Sequence, residues 1–270
     1  MITKIPYPIL RFCLVFTGFA ALLFASVLGM GRLMGSDDEL VFTSYASINP
    51  DIYRMDVGHF LRVNLTKHEG YDSEPAWSPD GRSIAFTSDR DGRIAVYIMD
   101  AAGERLRRVI PVDSGAVAVN WSSDGQRLYL FSFTGNQQLI FTVNLDGSGY
   151  EQVNEQNARD AIQRDLDIDP ASVSGSISPS GEYRLFSAFR EGSWGIYVAD
   201  SQRQNARRLA DAGRQYAEAP VWSRGGEWVA FIALTSTGLD LFVIDPLGVA
   251  ASTLRLTHDD NVEANVSWRP

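Results

Sequence analysis

The sequence predicts an all-β fold, a β-propeller of five four-stranded blades, preceded by one N-terminal transmembrane helix. Three observations predict it. A turn motif recurs as Trp77-Ser-Pro-Asp-Gly81, Trp121-Ser-Ser-Asp-Gly125, Ile177-Ser-Pro-Ser-Gly181 and Trp222-Ser-Arg-Gly-Gly226, and Trp268-Arg-Pro270 opens a fifth copy. The spacings of 44, 56, 45 and 46 residues lie near the ~40–45 residues of a four-stranded blade. The repeats are also cut at complementary places: the chain enters one without its first strand and leaves another after its first strand. Finally, residues 12–30 form an uncharged run of 19, close to the ~20 residues that span a bilayer as a helix.

The apolar run comes first. Lys4 and Arg11 precede it, and Arg32 followed by Asp37, Asp38 and Glu39 succeeds it, so positive charge is heavier on the N-terminal side. That bias predicts a cytoplasmic N-terminus with everything after Arg32 outside. A cleaved signal peptide is the alternative, with Val27-Leu28-Gly29 as a small-residue cleavage site, although such peptides have apolar cores of only ~7–15 residues. The predicted division is residues 1–36 for the tail and signal-anchor and residues 37–270 for the propeller.

Each repeat then reads as strands A to D, counted from the ring axis outwards. In the clearest copy, strand A is 75–77, strand B 83–87, strand C 95–99 and strand D 106–109. The turn at 78–81 joins A to B: proline presets φ, aspartate bonds its own backbone, and glycine takes a positive φ without a Cβ clash. Strand B recurs at 40–43, 128–131, 185–188 and 229–232, and strand C at 52–55, 140–143, 196–199 and 241–244. These segments are β-branched and aromatic, as strands prefer. Strands B, C and D at the N-terminus lack an A strand, and residues 262–268 are an A strand without the other three. Joined, they complete a blade and leave no free sheet edge between first and last. A sixth blade would need ~40 residues, against an excess of about 12 between the second and third motif copies, so five is the count unless that insert hides part of another.

The segment Glu74-Pro-Ala-Trp-Ser-Pro-Asp-Gly-Arg-Ser-Ile-Ala-Phe-Thr-Ser88, followed by Ile94-Ala-Val-Tyr-Ile-Met-Asp100, resembles the WD-repeat-like propeller repeat of the TolB family. The resemblance covers about residues 37–270, in four aligned copies. It implies a binding propeller of the bacterial cell envelope, in a fold also found beside the hydrolase domains of prolyl oligopeptidases and tricorn protease. Three departures qualify it. The periplasmic TolB protein has a separate N-terminal α/β domain and six blades, where this chain has an apolar run and five predicted blades, so a Tol-Pal role does not follow. Ile177-Ser-Pro-Ser-Gly181 has lost both tryptophan and aspartate, which predicts the least regular blade there.

Composition narrows the function. With 24 basic and 33 acidic residues the net charge is −9, which repels a polyphosphate backbone and argues against nucleic acid as a partner. Cys13, the one cysteine, lies in the apolar run, leaving the propeller no disulfide or thiolate site. There is no Gly-x-Ser-x-Gly and no unrepeated stretch for an α/β-hydrolase. His59, His68 and His258 match no zinc motif, so no metal or cofactor is expected. Asp165-Leu-Asp-Ile-Asp169 alternates carboxylates like a calcium loop, but Pro170 and Ser176 stand where an EF-hand needs glycine and glutamate. Ala158, Ala161, Ile162 and Leu166 predict a short amphipathic helix in the same insert, either capping the ring or docking a partner. The tryptophans are read as packing between blades, and Arg107, Arg108, Arg207 and Arg208 as charges guarding outer strands.

Charge sorted by face gives the candidate site. In an up-and-down blade the D-to-A and B-to-C connections share one face. The D-to-A connections carry 14 acidic residues against Lys67, Arg159, Arg164 and Arg214. Asp72, Glu74, Glu218, Asp259, Asp260 and Glu263 are the candidates for an acidic channel mouth, with Glu74, Glu218 and Glu263 just ahead of innermost strands. Two hypotheses follow. One is a non-enzymatic monomeric propeller, held at the inner membrane by its N-terminal helix, whose mouth binds an envelope protein, peptide or cation. The other is a propeller glycoside hydrolase, which needs two carboxyl groups ~5–10 Å apart, one with a raised pKa, and for which only Tyr71 and Tyr216 stand out as sugar-stacking aromatics.

Overall fold

The computed structural model describes residues 38–46, 49–111, 118–134, 137–153, 177–202, 204–211, 217–246 and 253–270. The apolar run at 12–30, the expected insert helix and the Asp165–Asp169 carboxylates lie outside these residues. Among the described residues every regular element is a strand, and no helix is long and apolar enough to cross a membrane.

Five antiparallel sheets follow one another along the chain. The first holds β1 (Glu39–Ser44), β2 (Asp51–Asp56) and β3 (Leu61–Asn64), and the second β4 (Asp72–Trp77), β5 (Ser83–Ser88), β6 (Ala95–Asp100) and β7 (Arg107–Pro111). The third is β8 (Ala118–Trp121), β9 (Arg127–Thr134), β10 (Gln137–Asn144) and β11 (Glu151–Gln152). The fourth shows β12 (Tyr183–Arg190), β13 (Ser193–Asp200) and β14 (Arg207–Asp211), and only the bridge Ile177↔Arg184 stands where its inner strand is expected. The fifth is β15 (Ala217–Trp222), β16 (Val229–Leu234), β17 (Leu239–Ile244) and β18 (Leu254–Arg255). The last strand, β19 (Glu263–Trp268), pairs with β1, giving the first sheet the order β19-β1-β2-β3. The expected joining of the chain's two ends is thus present as a hydrogen-bonded ladder.

Period-2 alternation explains the packing. Central strands are covered on both faces, so both sets of side chains are apolar. Leu40 and Phe42 of β1 pack with Ile232, Leu241 and Val243 of the fifth sheet, while Val41 between them packs with Trp77, Ile84 and Phe86 of the second. A third cluster joins the second and third sheets through Ile98, Trp121 and Leu130, and a fourth joins the last two through Leu185, Trp222 and Phe231. The tryptophans belong to these seams. Trp121 Nε1 donates to the Ala76 carbonyl at 3.0 Å and Trp268 Nε1 to Val221 at 3.1 Å, each reaching the inner strand of the preceding sheet.

The repeated turn is built as its composition requires. Asp80 Oδ1 accepts from Ser78 Oγ at 2.6 Å and from the Arg82 amide at 3.1 Å, while Gly81 adopts φ 66°. Asp124 and Gly125 repeat the arrangement. At the third copy Ser180 replaces the aspartate, and its bond to the Glu182 amide lengthens to 3.4 Å.

Candidate binding mouth

Strand A of the second sheet begins at Asp72, not Pro75, so Glu74 lies within it. A bulge hides this. Glu74 takes φ 55°, the ladder between β4 and β5 shifts between Ser73 and Ala76, and Asn265 takes φ 53° at the matching place in β19. The bulges re-aim these side chains, and Asn265 Nδ2 donates to Glu74 Oε1 at 2.8 Å, tying two inner strands together.

Counting back from each tryptophan shows that the three glutamates hold different registers. Glu263 is five residues before Trp268, Glu218 four before Trp222, and Glu74 three before Trp77. Expected just ahead of the innermost strands, they stand within them, at successive positions. Glu218 pairs with Ile232 through β15, and its side chain lies outside the described residues, as does that of Asp211. Asp113, Tyr216 and residues 155–169 also lie outside them.

Two of the six candidates are sealed by arginines. Asp72 is fully buried and receives Arg90 Nη2 on both oxygens, at 2.9 and 3.0 Å. Arg90 Nε also donates to Ser88 Oγ, and its guanidinium stacks over Phe86 and Tyr97. Glu263 is likewise fully buried, but Arg62 Nη1 stands 3.4 Å from its Oε1 while Arg62 Nη2 binds Asp259 Oδ2 at 2.7 Å. Glu263 Oε2 and Asp259 Oδ1 are buried without a hydrogen-bond partner among the described residues. Burial pushes the Glu263 carboxyl up to about 8; Ser44 and Arg62 pull it down, and Asp259 and Asp240 push it up. Desolvation of the carboxyl outweighs the pull of a guanidinium shared with Asp259, so this is a mostly neutral acid at pH 7. Asp240, also fully buried, is satisfied by Arg255, Thr235 and Thr257.

The other candidates with described side chains are less enclosed. Asp260 is exposed, Asp259 and Glu74 are half-buried, and Glu69 is exposed on the same connections. Beside them stand Tyr71 and Val262, both exposed, and Tyr45, whose phenol hydrogen-bonds that of Tyr71. The mouth is therefore less negative than a loop count implies, and more aromatic. Sequence reading missed the arginines, although one signal was available: Phe86, Arg90, Tyr97 and Phe186, Arg190, Tyr197 repeat the same spacing, and Arg190 stacks on both of its rings. Among the described residues no three His, Cys, Asp or Glu side chains are placed to hold a metal ion.

On the opposite face a cleft of about 840 Å³ lies between the second and third sheets, lined by Asp80, Arg82, Asp100, Arg105, Trp121 and Asp124 among others. Its aspartates serve their own turns, and hydrogen bonds to Ser78 and Ser122 hold Asp80 and Asp124 below the usual carboxylate range.

Comparison with known proteins agrees with this architecture. Residues 35–163 match the TolB beta propeller domain family. A Protein TolB homolog of Chlorobium luteolum is 30% identical over 186 residues, covering 67% of this chain and 38% of that protein. The uncharacterized peptidase YuxL of Bacillus subtilis is 30% identical over 178 residues, covering 65% of this chain and 24% of that one. The chain thus spans well under two thirds of either relative. The apo AtxE2 isopeptidase superposes with a TM-score of 0.51 over 82% of this chain and 50% of that chain, at 10% identity, a likeness of fold alone.

Proposed function

Because this chain belongs to the TolB β-propeller family, we infer that it is a non-enzymatic binding module whose D-to-A face receives a basic protein or peptide of the cell envelope. The five sheets are the five blades of one ring, closed by β19, and residues 12–30 hold it as a single-pass anchor in the inner membrane with the propeller outside. The observation that carries the reading is the division of acids at the mouth. Asp72 and Glu263 are buried against arginines, whereas Glu69, Glu74 and Asp260 remain towards solvent beside exposed aromatics. Carboxylates gathered at a rim raise the local potential and speed capture of a cationic partner, an effect that salt screens over ~8 Å at physiological strength. Glu263, whose proton affinity would suit a general acid, is sealed from solvent, which favours binding over glycoside hydrolysis.

The test uses the full chain in carbonate-washed membranes, where the anchor predicts that it stays. Cross-linked and solubilised, wild type is expected to capture a partner less well as salt rises. A Glu69→Gln, Glu74→Gln, Asp260→Asn variant should lose that capture, and Glu104→Gln with Glu182→Gln, on the opposite face, should keep it. Equal capture by all three proteins at every salt concentration rejects the mouth.

A further inference from the structure

Tyr45 and Tyr71 form a corner at the inner rim between the first two sheets. Their rings meet edge to face, with centroids 6.0 Å apart and planes at 73°, and their phenols are hydrogen-bonded to each other. Backbone contacts fix both walls: the Tyr45 amide donates to the Val262 carbonyl at 2.9 Å, and the Tyr71 amide donates to Asp89 Oδ1 at 2.7 Å. Glu74 completes the corner. Its carboxylate is near enough to oppose ionisation of the Tyr45 phenol, after burial and the bond to Tyr71, and Asn265 holds it in place at 2.8 Å. Core packing does not account for Tyr71, which keeps 45% of its surface exposed while the repeated tryptophans keep 5–8%.

An exposed ring held against a second ring and beside a carboxylate is the chemistry that recognises an organic cation, through ring quadrupole and charge together. We propose that Tyr45, Tyr71 and Glu74 form a subsite for an alkylammonium group, the lysine side chain of the basic partner. This rests on the binding reading given above and names the group that the mouth selects.

The probe is fluorescein-labelled hexalysine, titrated into the full chain in non-ionic detergent, with hexaglutamate as control. Wild type should bind hexalysine and not hexaglutamate. Tyr71→Ala should weaken binding about five- to tenfold, the range a partly desolvated cation–π contact supports, and Tyr71→Phe should retain it. Glu74→Gln should weaken binding and flatten its salt dependence. Melting temperatures of the Tyr71 variants should match wild type, since that ring is exposed. Failure of wild type to bind hexalysine, or equal binding by Tyr71→Ala with an unchanged melt, overturns the subsite. If Tyr71→Ala weakens hexalysine while partner capture ignores Glu69, Glu74 and Asp260, the subsite stands and the mouth reading falls; the reverse pattern keeps the mouth and removes the subsite.

Discussion

Asp72 and Glu263 occupy the same register, five residues before the tryptophan of an inner strand, yet they are in different states. Asp72 accepts two bonds from Arg90, whereas Glu263 shares Arg62 with Asp259 and leaves Oε2 without a partner among the described residues. A divided guanidinium leaves the Glu263 carboxyl less well compensated than that of Asp72. The sign of the pH dependence follows. Glu263 rises from 4.5 to about 8 on folding, so the folded protein holds a proton that the unfolded chain has released over that window. Stability from this group is complete below pH 4.5 and declines as pH rises through 8, by an amount on the order of 5 kcal/mol. Glu263→Gln should remove that decline and be more stable than wild type at about pH 9, measured by urea unfolding across the range. A wild-type stability that increased between those pH values would show a Glu263–Arg62 ion pair instead. The sequence places Glu263 at the start of an inner strand but shows neither its burial nor its partners. Burial depends on β1 and on Arg62, some 200 residues away along the chain.

At the scale of elements, strands B and C and the A-to-B turns were legible because their signals are local: β-branched runs, and Ser-x-Asp-Gly chemistry that the structure reproduces at 78–81 and 122–125. The inner strand of the second sheet is longer than its sequence signal, Asp72–Trp77 against 75–77, whereas that at 263–268 matches its expected bounds. A positive φ at Glu74 and Asn265 interrupts alternation, so polar residues inside a strand imitate a loop. The fourth sheet was expected to be least regular, and the loss of aspartate at 177–181 does weaken its turn. The element most exposed to test is β19. Val266 and Trp268 are buried between the first and fifth sheets, and the strand supplies the inner edge of a sheet whose other strands come from the N-terminal part of the propeller. Losing one large buried aromatic costs ~3–5 kcal/mol, a large share of the ~5–15 kcal/mol that holds a domain folded. Deleting residues 263–270 should therefore give protein that unfolds or aggregates, assessed by its melting curve and by size exclusion. A soluble truncated chain with an unchanged melt would contradict closure by this strand.

For the whole molecule, the repeat made the sheets and the pairing of first with last readable, because both depend on patterns that recur or complement each other along the chain. The mouth was readable only as a sign of charge. Counting acids on connections could not show that the inner ones are buried beside Arg62 and Arg90, or that Tyr45 joins Tyr71 beside Glu74, since these contacts cross between elements. What remains towards solvent is a smaller rim of carboxylates and aromatic rings on one face, with a mixed cleft on the other. If the first of these faces binds, amide hydrogen exchange of the full chain with and without its captured partner should slow at residues 66–74, 89–94 and 257–263 and stay unchanged at 78–82, 103–107 and 122–126. Protection confined to the second set would place binding on the opposite face.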